Sequence, residues 1–209
     1  MPTTIEIRLA RVDARLHQLR AHDAAFAVFG ADTHRYERHA PLEAAALERW
    51  EARQGVTLPE EYRCFVLQLC NGGPGPGYGL QPLDLDEDLE TVARSFPWDD
   101  HAAAEALRRR RTELAEQSVA LFGYDFDDYP DGCLTLCDYG CAWQGELVIT
   151  GEQRGRVWYI GDSAFPLPAL PMRSAAPAEE CSISFLDWYE AWLDESFAET
   201  AADGAVPAS

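Results

Sequence analysis

Asp125, Asp127, Asp128 and Asp131 crowd into the run YDFDDYPDG, and carboxylates at that density can do two kinds of chemistry. They can gather a hard cation with oxygen ligands, or serve as paired acid and base in a small metal-dependent hydrolase. The run lacks the sixth-position glycine and the closing glutamate of an EF-hand loop, so its ordinary roles are a solvated acidic loop or an edge that meets a partner. Cys133, Cys137 and Cys141 follow at four-residue spacing. Zinc tolerates that spacing, but a fourth ligand has to come from Cys181, Cys64 or Asp138, and no tight Cys-x-x-Cys knuckle is present. On a strand, Cys133, Thr135 and Cys137 would share one face as small residues, with Cys141 in the turn after Gly140. That is the simpler reading, and no metal is expected.

The remaining chemical motifs are incomplete. Gly161-Asp162-Ser163 is a fragment of a lipase elbow without the second glycine, and no histidine lies beyond His101 to act as its base. His17, His22, His34, His39 and His101 form neither His-x-x-x-His nor His-Glu-x-x-His, and His34 and His39 are expected at the surface or in loop packing. The glycines of Gly72–Gly79 are not followed by Gly-Lys-Ser/Thr, so they do not make a phosphate loop. All 17 basic residues are arginine. Without lysine there is no side-chain amine for a Schiff base and none to reach a nucleotide phosphate. Arg108–Arg111 would spread around a helix at about 100° per residue rather than form one patch. No cofactor is expected.

A formal charge of −19 repels nucleic acid and anionic membranes and attracts cationic partners, such as a basic nuclease. The N-terminus carries charges every few residues and lacks the apolar core of a secretory signal, so the chain is expected to be cytoplasmic with its six cysteines reduced.

The elements that position these residues follow from apolar spacing. Leu9, Val12, Leu16 and Leu19 mark a first amphipathic helix, followed by a loop through Gly30-Ala31-Asp32-Thr33. Pro41 opens a helix lined by Leu42, Ala46, Leu47 and Trp50 and stopped at Gly55. Pro59 begins another, with Tyr62, Phe65, Val66, Leu69 and Cys70 on one face and Asn71-Gly72-Gly73 as its stop. Residues 74–83 alternate glycine and proline and predict an irregular loop. A helical insertion occupies about 84–120, with Asp100 as its N-cap. LTLCDYG, GELVITG and GRVWYIG are short strands, the clearest hairpin joining Leu147–Thr150 to Arg156–Ile160. Pro166, Pro168 and Pro171 then break the chain. Ser184 and Asp187 cap a last helix carrying Phe185, Trp188, Tyr189, Trp192 and Leu193. Trp143, at a turn between Gly140 and Gly145, either anchors a partner or caps the sheet end.

Glu51, then Leu58-Pro59-x-x-Tyr62, then a helix ending in Asn71-Gly72-Gly73, together resemble the SUKH superfamily, specifically the Smi/Knr cell-wall-regulator-like family. The likeness continues through Gly75–Leu83, residues 131–158 and residues 184–195, so it covers most of the chain. It implies an α+β domain with N-terminal helices, a mostly antiparallel sheet and a C-terminal helix. Composition marks no second domain, so one domain is expected over residues 1–196, and residues 197–209, alanine-rich and without anchoring apolar side chains, are expected to be a flexible tail. The likeness also implies a domain that binds protein without catalysis, in bacteria often as the immunity partner of a toxin. A regulatory scaffold of the cell-wall type and a hydrolase using the Asp125–Asp131 cluster are the alternatives. Asp125, Asp127, Asp128, Tyr78 and Trp143 are the expected partner-binding residues.

Overall fold

Helix α1 (Thr4–His22) starts at a capping box. The Thr3 hydroxyl accepts the Glu6 N–H at 3.2 Å and the Glu6 carboxylate accepts the Thr3 N–H at 2.7 Å, satisfying two otherwise free donors. Leu9, Val12, Leu16 and Leu19 are buried along its inner face, as their spacing requires. The computed structural model describes residues 2–99, 131–141, 143–161, 164–168 and 183–203. The expected helix after Asp100, the arginine run, Asp125, Asp127, Asp128, Asp162-Ser163 and Cys181 lie outside the described residues.

The segment expected as a loop at 30–33 instead forms one helical turn, α2 (Ala31–His34). Gly30 enters it at φ 76, and its carbonyl accepts both the Thr33 and His34 N–H groups. The preceding segment is tied down by Asp23, buried, which accepts the Ala27 N–H at 2.7 Å, the Val28 N–H at 3.2 Å and the Tyr36 hydroxyl at 2.7 Å.

Helix α3 (Ala44–Gln54) opens three residues later than Pro41 suggests. The Leu42 N–H is committed to the Val66 carbonyl at 2.9 Å, which holds that residue against the neighbouring helix instead of in the first turn. Gly55, at φ 71, ends α3 as expected. Helix α4 (Glu60–Gln68) begins after Pro59 at the N-cap and buries Tyr62, Phe65 and Val66, but it ends at Gln68 and not at Asn71-Gly72-Gly73: the Leu69 and Cys70 N–H groups both turn onto the Phe65 carbonyl, which closes the helix before the glycines.

Four strands form one antiparallel sheet in the order β1 (Cys133–Gly140), β2 (Trp143–Val148), β3 (Val157–Gly161) and β4 (Ala164–Pro168). The expected β2–β3 hairpin is present, with Leu147 opposite Val157 and the Gly155 N–H closing onto the Val148 carbonyl at 2.8 Å. Two readings are corrected. Trp143 is the first residue of β2 and not a turn residue. Pro166 and Pro168 lie within a strand where a chain break was expected. That strand is the sheet edge, the one place where a ladder tolerates a residue that cannot donate.

A bulge between Thr135 and Cys137 also overturns the shared cysteine face. Before it, Cys133 points to the outer face, where it packs with Phe96, Val148 and Trp158. After it, Cys137 joins Leu134, Leu136, Leu147 and Val157 in the main core against the helices. The three cysteines therefore do not converge, since Cys141 is exposed in the β1–β2 turn. Leu80 bridges Gly73 and Cys137, so the glycine-rich loop covers the other edge at β1.

Helix α5 (Phe185–Asp203) crosses the inner face, burying Phe185, Leu186, Trp188, Tyr189, Trp192 and Leu193. Ser184 Oγ accepts the Asp187 N–H at 3.3 Å, half of the expected capping box. The helix runs past Phe197, where the tail was expected to begin. The Phe197 ring meets the edge of His22 at 5.9 Å between centroids and the Arg15 guanidinium at 5.4 Å, so α1 supplies the anchor.

Candidate functional site

Several elements meet at the β1–β2 end of the sheet. Gly140 and Cys141, at φ 80 and 50, turn the chain there. The Tyr78 N–H donates to the Asp138 carbonyl at 2.8 Å, which fixes the glycine-rich loop beside the hairpin. Gly77 and Gly140 have to be glycine for this approach. A Cβ on Gly77 would lie 2.2 Å from the Asp138 oxygen, and one on Gly140 would lie 3.0 Å from the Tyr78 hydroxyl.

Trp143 pairs with the same Gly140 that Tyr78 covers, so the loop and the hairpin bring these two expected residues to one end of the molecule. Tyr78 is 42% exposed and Trp143 is half-buried. The structure adds Phe29, 53% exposed, whose ring lies 5.4 Å from that of Tyr78. Two exposed rings in contact form an apolar patch that folding leaves in water. A groove of about 210 Å³ runs beside them, with Tyr139, Tyr159, Trp188 and Trp192 in its walls and Glu195 and Glu199 of α5 at its acidic side. Its aromatic walls are held firmly. Trp188 Nε1 donates to the Tyr159 hydroxyl at 3.0 Å, and the Tyr139 ring meets Tyr159 edge-on at 5.4 Å. Burial pushes both tyrosines above their ordinary range, so they remain neutral phenols.

The motif residues Glu51, Leu58, Pro59, Tyr62, Asn71, Gly72 and Gly73 lie elsewhere and perform structural work. Glu51 is buried, and its Oε1 accepts the Leu58 N–H at 2.8 Å and Arg63 Nε at 3.1 Å, stitching the end of α3 to the start of α4. Leu58 is buried, and the buried Tyr62 ring stands edge-on to Phe185 at 5.1 Å. Asn71 mimics a strand neighbour: its amide donates to the Leu83 carbonyl at 3.0 Å and accepts the Leu83 N–H at 2.9 Å. Gly72 and Gly73 adopt φ 93 and 122.

The family model described as SMI1 / KNR4 family (SUKH-1) matches residues 41–191. The chain belongs to this family. The match spans the α3–α4 pair, the sheet and the start of α5, while α1 and α2 precede it. No curated protein and no solved structure matches the chain. No helix among the described residues is long and apolar enough to cross a membrane.

Within this SUKH-1 frame, Phe29 and Glu146 are the residues that sequence reasoning missed. Phe29 ends the apolar run Ala24–Phe29 immediately before Gly30, and the only available signal was an aromatic beside a glycine turn. Glu146 is nearly fully buried on β2, where the segment GELVIT gave no warning that a carboxyl would be buried. The Thr135 hydroxyl donates to it at 2.8 Å, and burial pushes its carboxyl up to about 8. Among the described residues, no group of three or more His, Cys, Asp or Glu side chains is arranged to hold a metal ion. Asp131, the described member of the aspartate run, pairs with Arg94 at 3.3 Å.

Proposed function

We propose that this SUKH-1 domain acts without catalysis, as an immunity protein that binds a bacterial toxin domain and covers its active site. The observation that carries this reading is the exposed Phe29–Tyr78 pair on the rim of an aromatic groove with an acidic side. Exposed aromatics that rest on rigid backbone are the common anchors of protein interfaces, because they bury large area with little loss of side-chain freedom. The −19 charge supplies the second requirement, attraction of a basic partner such as a nuclease that must itself attract phosphate. Trp143, paired with Gly140 at the same end of the sheet, is assigned to the partner surface with them. Asp125, Asp127 and Asp128 are assigned to the partner surface from the sequence.

The test is rescue. A basic protein captured by the immobilised domain at low salt is expressed alone and with the domain in the same host. Toxicity alone, relieved by the wild-type domain and not by the Phe29→Asp/Tyr78→Asp variant, is the expected result. Equal rescue by that variant would show that the rim is not the binding surface. Capture of a non-toxic signalling protein would favour the regulatory scaffold.

A further inference from the structure

A second cavity, of about 420 Å³, opens on the other side of the sheet from the aromatic groove. Its walls come from the loop after Asn71 and from β1 and β2, with Gln81, Asp84 and Glu87 on one side and Thr135, Gln144 and Glu146 on the other. Leu83 and Leu89 contribute apolar wall between the polar groups. Glu146 is 2% exposed, and its one hydrogen bond among the described residues comes from the Thr135 hydroxyl. An ionised carboxylate accepts about four hydrogen bonds, so Glu146, once it loses its proton, has room for donors beyond the Thr135 hydroxyl. No arginine lines this cavity among the described residues, although the chain pairs its carboxylates with arginine elsewhere, as in Arg8 with Glu61 and Glu190.

We propose that this cavity is a receptor for one arginine side chain of a protein partner, with Glu146 as the counter-ion to its guanidinium. The inference rests on the reading of the domain as a protein binder. A guanidinium presents a planar fork of donors that matches a carboxylate, and the carboxamide and hydroxyl oxygens of the walls can take its outer N–H groups. Leu83 and Leu89 suit the aliphatic stem. Asp84 and Glu87 draw the cation in.

Burial favours the protonated carboxyl of Glu146, so taking up a cation beside it draws the proton off. The other titratable groups on the walls are Asp84, Glu87, Cys133 and Tyr62. Burial pushes the Cys133 thiol and the Tyr62 phenol up, so neither supplies a proton near neutrality.

The experiment is calorimetric titration of the full chain at pH 7 with N-acetyl-arginine-methylamide, in two buffers of different ionisation enthalpy. The uncharged citrulline analogue and the Glu146→Gln variant are run alongside. Binding of the arginine probe with proton release, absence of binding by the citrulline analogue, and at least a tenfold weakening with loss of proton release in Glu146→Gln are expected. Equal binding of arginine and citrulline, or unchanged affinity in Glu146→Gln, would overturn the assignment. Thermal unfolding of Glu146→Gln, with Thr135→Val as a second variant, shows whether any loss is local to the cavity. Failure of the probe in a domain that still rescues against its toxin overturns the arginine receptor and leaves the immunity reading standing. Loss of rescue with intact probe binding does the reverse.

Discussion

At the scale of single residues, the buried polar groups divide into those that are answered and those that are not. Glu51 is answered by the Leu58 N–H and by Arg63. Glu51→Ala strands a buried donor and a partly buried cation, so it should destabilise the domain by about 2–4 kcal/mol in urea unfolding. His34 is different. Its Nδ1 accepts the Tyr36 N–H at 3.1 Å, and its Nε2 is buried without a partner among the described residues. Burial lowers it to about 4, against a smaller opposing pull from Asp23 and Asp32. Between pH 6.5 and about 4 the unfolded chain therefore binds a proton that the folded chain refuses, and this contribution to stability is lost as pH falls through that window. Unfolding free energy measured across the window should fall less steeply for His34→Gln than for wild type. A parallel decline in the two proteins would assign the acid sensitivity to other groups.

Secondary-structure elements are held here by backbone approaches as much as by apolar faces, and two glycines separate these effects. Gly73 has φ 122, and a Cβ there would lie 2.4 Å from the Glu37 carbonyl oxygen. Gly55 has φ 71 with nothing within 4 Å of its Cβ position. Gly55→Ala should therefore lose only the left-handed preference, about 1 kcal/mol, whereas Gly73→Ala should lose about 3 kcal/mol or more, because strain and collision add. Similar costs at the two positions in chemical unfolding would mean that the loop around Gly73 moves aside freely. The α1–α5 pair adds an ionic seam, with Arg8 on Asp187 and Glu190 and Arg15 on Asp194, and Arg8 also reaches Glu61 of α4. It explains where part of the arginine content is used.

Viewed as a whole molecule, the domain combines a strong negative field with one small aromatic rim. The field acts at long range and is screened by salt, while the rim acts only in contact. For a basic partner, raising ionic strength from about 0.05 to 0.5 M should slow association by tenfold or more and change dissociation little. Phe29→Ala and Tyr78→Ala should instead raise the dissociation rate about tenfold or more, while folding stability shifts by no more than about 0.5 kcal/mol. Stopped-flow association and surface-bound dissociation measure the two separately. A salt-insensitive association rate would remove the steering role of the −19 charge.

What was legible in the sequence was what depends on local spacing: the α1 face, the inner face of α4 as far as Val66, the glycine stop at Gly55, the β2–β3 hairpin and the capped α5. The family likeness was carried by residues whose chemistry is local too, such as Glu51, seven residues from the Leu58 N–H it accepts. The tertiary structure alone decided the rest. The bulge after Thr135 moved Cys137 to the opposite face from Cys133, and a one-residue slip in a period-two pattern leaves no trace in composition. Proline was admitted to β4 because that strand is an edge, a property of strand order rather than of residue type. The contact of Phe29 with Tyr78 and the burial of Glu146 against Thr135 join segments far apart along the chain or on separate strands. Exposure and burial at such positions are set by what the remaining chain packs against them, so only the folded molecule could reveal the rim and the buried carboxyl.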